Sequence, residues 1–295
     1  MRPKKTRKTD LVTLRSTPPW EWPSSAARFL AETLLDRLAK EADRLLAAEL
    51  AGEVPSTTDE LVDALLSVLQ SGDEPEALRS RAAISLGPLL EYADEFSLED
   101  IADILPVAET PPIDAETLRR IQALLHKLYL DASVPDLVRR KILEASVRAP
   151  QDWHRAAIRA AYSSGRRDWV LTSVFCMRFA SRFGKQVLQA LESDDPEIQF
   201  EAVRAGGIWG LDEAWPHVVS LVGSDETDKD LLLAAINAVA CIRPGEAPAI
   251  LIDLLDADDE DIVETVQEAL AMIEDFPDAD DAAGDDDPPW DCGAA

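Results

Sequence analysis

Two stretches, Val134-Pro-Asp-Leu-Val-Arg-Arg-Lys-Ile-Leu-Glu-Ala145 and Asp195-Pro-Glu-Ile-Gln-Phe-Glu-Ala-Val-Arg-Ala-Gly206, decide the fold. Pro135, Leu137 and Ile142 of the first recur as Pro196, Ile198 and Val203 of the second, each 61 residues on. An equivalent first apolar position returns at Leu137, Trp169, Ile198, Leu231 and Ile262, with separations of 32, 29, 33 and 31 residues. Self-similarity at such a period marks an array of supersecondary units. Each period holds two helices; the second of each pair is predicted at 151–162, 185–191, 212–222 and 246–255, and a closing helix at 261–273. One such pair cannot bury its apolar face alone, and stacking neighbours makes the core continuous. The expected fold class is therefore all-α, an α-solenoid of stacked antiparallel helix pairs.

Outward from these stretches, apolar residues keep helical spacing in short blocks separated by Asp, Ser, Gly and Pro, without strand-like alternation. Residues 26–50 read as one long amphipathic helix, with Phe29, Leu30, Leu34, Leu35, Leu38, Leu45 and Leu46 on its apolar side. Residues 1–23, polar and Pro-containing with six Arg and Lys, are expected to form a flexible basic arm, and residues 24–276 the packed body, clearest over 134–275. No Lys or Arg follows Arg243, and the Asp-rich residues 277–295 read as a disordered acidic tail.

Ser193-Asp-Asp-Pro-Glu-Ile-Gln-Phe-Glu-Ala-Val-Arg-Ala205 resembles the first helix of a HEAT repeat, of the bacterial type also found in phycobilisome-lyase-like proteins. Ser71-Gly-Asp-Glu-Pro-Glu-Ala-Leu-Arg-Ser-Arg-Ala-Ala83 resembles it more loosely, and the loop Gly210-Leu-Asp212 fits the pattern. The resemblance covers 134–275 well and 71–109 in part. It loses register over 111–131, where Leu118 stands 19 residues before Leu137. It implies a HEAT/armadillo-type superhelix whose second helices line the concave surface. Such families serve mostly as scaffolds and adaptors, with rarer members that attach bilins or remove damaged bases, so the motif speaks of architecture more than activity.

Fifty-seven Asp and Glu against 29 Lys and Arg give a net charge of -28. Such a chain repels phosphate backbones, so nucleic acid is not an expected partner. Acidity of this kind equally suits a saline cytoplasm. Cys176, Cys241 and Cys292 are far apart and lack CxxC spacing, which suggests neither a disulfide framework nor a zinc site and fits a cytoplasmic protein. No secretory signal follows the basic start, and no apolar run spans a bilayer. His126, His154 and His217 lie on separate predicted helices without the i, i+4 pairing of a helical metal site and read as solvated or structural. No GxxxxGK[ST], GxGxxG or GxSxG motif is present. The expectation is a non-enzyme without metal or cofactor. Trp153, Trp169, Trp209 and Trp215 read as core, and Trp20, Trp22 and Trp290 as candidate docking anchors.

The minority charge is concentrated. Between Asp131 and Ala190 eleven Arg and Lys stand against five Asp and Glu. On the predicted second helices, Arg155, Arg159 and Tyr162 form one polar stripe, Lys185 and Gln189 the next, and Glu213 and His217 a third. These seven residues are the candidate partner-binding face, graded from basic to acidic and suited to an acidic segment of a protein partner. The expected function is a protein-protein scaffold or adaptor. The alternatives are a bilin-lyase-like enzyme and a HEAT-like DNA glycosylase; the latter requires a basic groove that the overall acidity opposes.

Overall fold

The computed structural model describes residues 10–54, 57–95 and 113–275. Among the described residues there are sixteen α-helices and no strand. The chain divides into two compact units, with the boundary between Gln151 and Asp152. The acidic tail, including Trp290, lies outside the described residues.

The first unit contains α1 (Leu11–Arg15), α2 (Ala26–Leu35), α3 (Glu41–Ala51), α4 (Asp59–Gln70), α5 (Glu76–Ile84), α6 (Gly87–Glu95), α7 (Ala115–Leu130) and α8 (Asp136–Ser146). Short loops join α2 to α3, α4 to α5 and α7 to α8, and each pair packs as a hairpin, with α3, α5 and α8 stacked in that order. The second unit contains α9 (Asp152–Ser163), α10 (Arg167–Cys176), α11 (Gly184–Leu191), α12 (Pro196–Ile208), α13 (Trp215–Val222), α14 (Lys229–Ile242), α15 (Ala247–Leu251) and α16 (Glu260–Asp275). Its helices α10, α12, α14 and α16 stack likewise, while α9, α11, α13 and α15 each turn through a tight loop onto the next of them. The second helices and closing helix expected from the period are α9, α11, α13, α15 and α16, with 3-10 turns at Asp212–Ala214 and Ile252–Asp256.

One polar device unites the hairpins and extends the repeat to where sequence resemblance fades. The Nε of Arg44, Arg79 and Arg139 donates to the carbonyls of Leu34 (2.9 Å), Leu69 (3.0 Å) and Tyr129 (2.8 Å). Each arginine is the fourth residue of its helix, and each acceptor, ten residues earlier, is next to last in the preceding helix. A helix end leaves its final carbonyls without intrahelical donors, and these side chains supply them. In the second unit Gln199, fourth in α12, does the same for Leu191 at 3.1 Å. By this criterion residues 115–146 are an ordinary hairpin, and Leu118 belongs to a second-type helix rather than to a displaced first-type one.

Some expectations are corrected. Residues 26–50 are not one helix: the chain turns at Asp36, whose Oδ1 accepts from the Leu38 amide at 2.9 Å. Leu38 is consequently 96 % exposed, whereas Leu34 is fully buried. Reversal wins because a folded-back hairpin buries two apolar faces against each other. Residues 10–22 of the arm carry α1 and a 3-10 turn at Pro19–Glu21. Asp10 caps α1, Leu14 is buried, and Trp22 Nε1 donates to the Leu14 and Thr17 carbonyls, so Trp22 secures the fold locally while Trp20 stays exposed. The first apolar position of α8 is Val138, fully buried, rather than Leu137, because Pro135 stands before the helix as its N-cap whereas Pro196 is the first residue of α12. The separation from Trp169 is thus 31 residues. Cys176 is a buried thiol.

Candidate functional site

The polar stripe lies on α9, on α11, in the turn that leads into α13 and, at His217, on α13 itself. The hydrophobic faces of these helices determine its orientation. Ala157, Ile158 and Ala161 are buried on α9, and Val187, Ala190 and Leu191 on α11, which leaves Arg155, Arg159, Lys185 and Gln189 in solvent. Tyr162 bridges the helices, its hydroxyl placed 3.3 Å from the Gln186 carbonyl and 3.2 Å from Gln189 Oε1. Partial burial of that phenol pushes its pKa up, so it remains a neutral donor through the physiological range.

The α10–α11 loop gathers the cations. Arg155 Nη2 donates to the buried Ser181 hydroxyl at 3.0 Å, and the Arg159 guanidinium lies 5.7 Å from the centre of the Phe183 ring. Arg182 stands between those two loop residues, exposed, and Lys185, the second residue of α11, follows three residues after it. Four cationic side chains are therefore carried by one loop and the helices beside it. The third stripe is less unified with them: Glu213 is exposed, while His217 is half-buried with Nε2 3.3 Å from Gln199 Nε2 on α12. The structure thus joins Arg155 and Arg159 to the α10–α11 loop, joins Tyr162 to Gln189, and turns His217 toward a neighbouring first helix.

The electrostatics separate these cations from others in the unit. Arg167 reaches across to Asp195 and Glu197, which push its pKa up. Lys229, gripped by Asp259 and Asp261, is pushed up to about 12. Arg243 is paired with Asp212 and Glu246, and Arg178 is 3.5 Å from Glu201. Arg155, Arg159 and Lys185 form no ion pair among the described residues, despite a two-to-one excess of acids.

Arg182 adds a signal that periodicity could not carry. Its φ is 74°, the only positive value at a non-glycine among the described residues. One repeat later, at the same place immediately before the residue that leads the next helix, stands Gly210 with φ 54°. Phe183 and Leu211 are those N-cap residues. A side chain in this left-handed region costs about 1 kcal/mol that glycine avoids.

Elsewhere the tryptophan readings hold for Trp169 and Trp215, both buried, and Trp209 Nε1 donates to the Met177 carbonyl at 2.7 Å. His154 is buried, as a structural histidine is. A cavity between α12, α14 and α16 is lined by Phe200, Arg204, Leu233, Asn237 and Cys241. There the Arg204 guanidinium lies 5.6 Å from the Phe200 ring centre. No group of three His, Cys, Asp or Glu among the described residues could hold a metal ion, and no helix among them is long and apolar enough to cross a membrane.

The family model of HEAT repeats matches residues 184–271, from the first residue of α11 into α16. No curated protein matches the chain. Among solved structures, human deoxyhypusine hydroxylase in complex with glycerol is 16 % identical, with 90 % of this chain and 88 % of that one covered at a TM-score of 0.39. Escherichia coli YibA is 14 % identical, with 88 % and 85 % covered at a TM-score of 0.44.

Proposed function

We propose that this HEAT-repeat protein is a non-catalytic scaffold that docks a protein partner on the side of its second unit formed by α9, α11 and the turn before α13. The observation that carries this reading is the set of exposed cations, Arg155, Arg159 and Lys185, without ion pairs among the described residues in a chain of net charge -28. Unneutralised charge of the minority sign, fixed on rigid helices, steers and orients a charged partner more than it stabilises the fold. The ladder of Arg167 and Lys229 pairs lies at the starts of first helices and serves adjacent repeats, which leaves the second-helix side for recognition. Tyr162 and Gln189, already bound to one another, present a preorganised polar rim beside the cations.

The test is affinity capture from native lysate with the intact chain and with Arg155→Glu/Arg159→Glu as paired baits, followed by reconstitution with the purified captured protein. A stoichiometric complex with the intact chain, lost with the double variant at unchanged melting temperature, supports the face. A complex equally strong with the variant removes it.

A further inference from the structure

The first-type helices of the first unit carry apolar side chains that its core does not use. Leu45 and Glu49 stand four residues apart on α3, Ala77 and Arg81 on α5, and Leu137 and Lys141 on α8, so each pair shares one face of its helix. With α3, α5 and α8 stacked in that order, these faces line one groove of about 680 Å³, bordered also by Arg15 at the end of α1. We propose that this groove docks an amphipathic helix of a separate protein, one whose apolar face is flanked by Asp and Glu. The groove lies wholly within the first unit and is independent of the second-unit face.

The apolar floor is what the core leaves over. Val138 rather than Leu137 is buried on α8, which leaves Leu137 half-buried in the groove. On α3 the core takes Ala47, Ala48 and Leu50, and Leu45 and Leu46 remain half-buried; on α5 it takes Leu78, Ala82 and Ala83 and leaves Ile84. Four branched aliphatic side chains thus share one concavity, where apolar anchors of a partner gain by leaving water. Stacked helices lie about 8–10 Å apart, so crossing from α3 to α8 takes roughly 16–20 Å. About twelve residues of helix, at about 1.5 Å each, span that distance. Such a helix offers anchors at i, i+3, i+4 and i+7.

The rim sets the sign of the partner. Among the lining residues Arg15, Arg81 and Lys141 stand against Glu49, the reverse of a chain with 57 acidic and 29 basic residues. Arg15 and Arg81 are exposed and form no ion pair among the described residues, while Lys141 is held by Glu144. Guanidiniums beside an apolar seam pair with carboxylates on the flanks of a docked helix and so choose its charge. A nucleic acid has no counterpart for a floor of Leu and Ile, and a Lys-flanked helix would meet like charge.

The experiment uses the full-length chain and a fluorescein-labelled amphipathic peptide of about 14 residues, with Leu on one helical face and Glu on both flanks, read by anisotropy. A scrambled peptide of equal composition and a version with Lys for Glu are the comparisons. The Glu-flanked peptide is expected to bind at least about 10-fold tighter than the scrambled one. Arg15→Glu/Arg81→Glu is expected to weaken it at least about 10-fold at unchanged melting temperature and to favour the Lys-flanked peptide instead, a reversal that loss of folding cannot produce. Leu137→Ser is expected to weaken binding without that reversal. No preference for the amphipathic peptide over the scrambled one, or an unchanged preference for Glu in the double variant, would overturn the proposal. So would loss of binding in Arg155→Glu/Arg159→Glu, which would place the peptide on the second unit. A dimer in light scattering that Arg81→Glu dissociates would overturn it by assigning the groove to a second copy of the chain. Peptide binding gained only when the aspartates of residues 278–291 are replaced by serine would overturn it too, by assigning the groove to the chain's own tail.

Discussion

Gly206 and Gly207 offer a controlled comparison of helix propensity with helix packing, since both lie in the last turn of α12 and neither has a positive φ. A Cβ added to Gly206 would meet Ala214 Cβ at 3.5 Å and Val187 Cγ1 at 3.9 Å, ordinary contacts. A Cβ on Gly207 would stand 2.9 Å from the Ala238 Cα and 3.0 Å from its Cβ, closer than atoms of this kind approach. The first of these contacts is with backbone, so no side-chain rotation relieves it, and α14 itself must move. Replacing glycine by alanine in a helix gains about 0.5–1 kcal/mol from the unfolded chain's lost freedom. Forcing extra volume into a packed interface costs about 1–3 kcal/mol. Gly206→Ala is thus expected to stabilise by about 0.5 kcal/mol and Gly207→Ala to destabilise by about 0.5–2 kcal/mol, with urea unfolding as the assay. In thermal unfolding a gap of that size between the two variants corresponds to several degrees. If Gly207→Ala proves as stable as Gly206→Ala, the close approach of α12 and α14 is refuted.

Two further outcomes probe the first unit. Glu74 has its carboxyl held below its ordinary value of 4.5 by the Arg44 hydrogen bond, with burial opposing. Its folded pKa being depressed, the pair stabilises the fold above about pH 4.5, and the contribution is lost as pH falls through the lower folded value. Glu74→Gln should therefore lose about 1–3 kcal/mol at neutral pH and flatten the acid limb of stability against pH; identical acid limbs in urea titrations would contradict the pairing. Leu34→Ala should cost about 2–5 kcal/mol while Leu38→Ala changes stability by less than about 0.5 kcal/mol. Similar losses at both would restore the single helix that periodicity suggests for 26–50.

The candidate face was partly legible before any coordinates. Arg155, Arg159, Tyr162, Lys185 and Gln189 are placed by helical spacing alone, because a period of 3.6 forces the apolar residues between them inward. Their mutual contacts were not legible, since Tyr162 meets Gln189 across 27 residues and Arg155 meets Ser181 across 26. Arg182 was visible only as one more charge in a basic stretch. Its significance depends on a backbone angle, and composition contains no angles. The Gly210 of the next repeat is the one sequence clue that a glycine conformation is needed there.

What the sequence by itself determined is the class of fold and its period, because burial of an apolar helix face leaves a trace in every repeat. The tertiary structure decided where that period is interrupted. At Asp36 a helix-compatible pattern turns back on itself, because burying α2 against α3 gains more than continuing one exposed helix. It also decided which cations are committed to neighbouring repeats and which face solvent. Pairing depends on side chains some thirty residues apart meeting at the ends of stacked helices, a distance that local spacing does not encode.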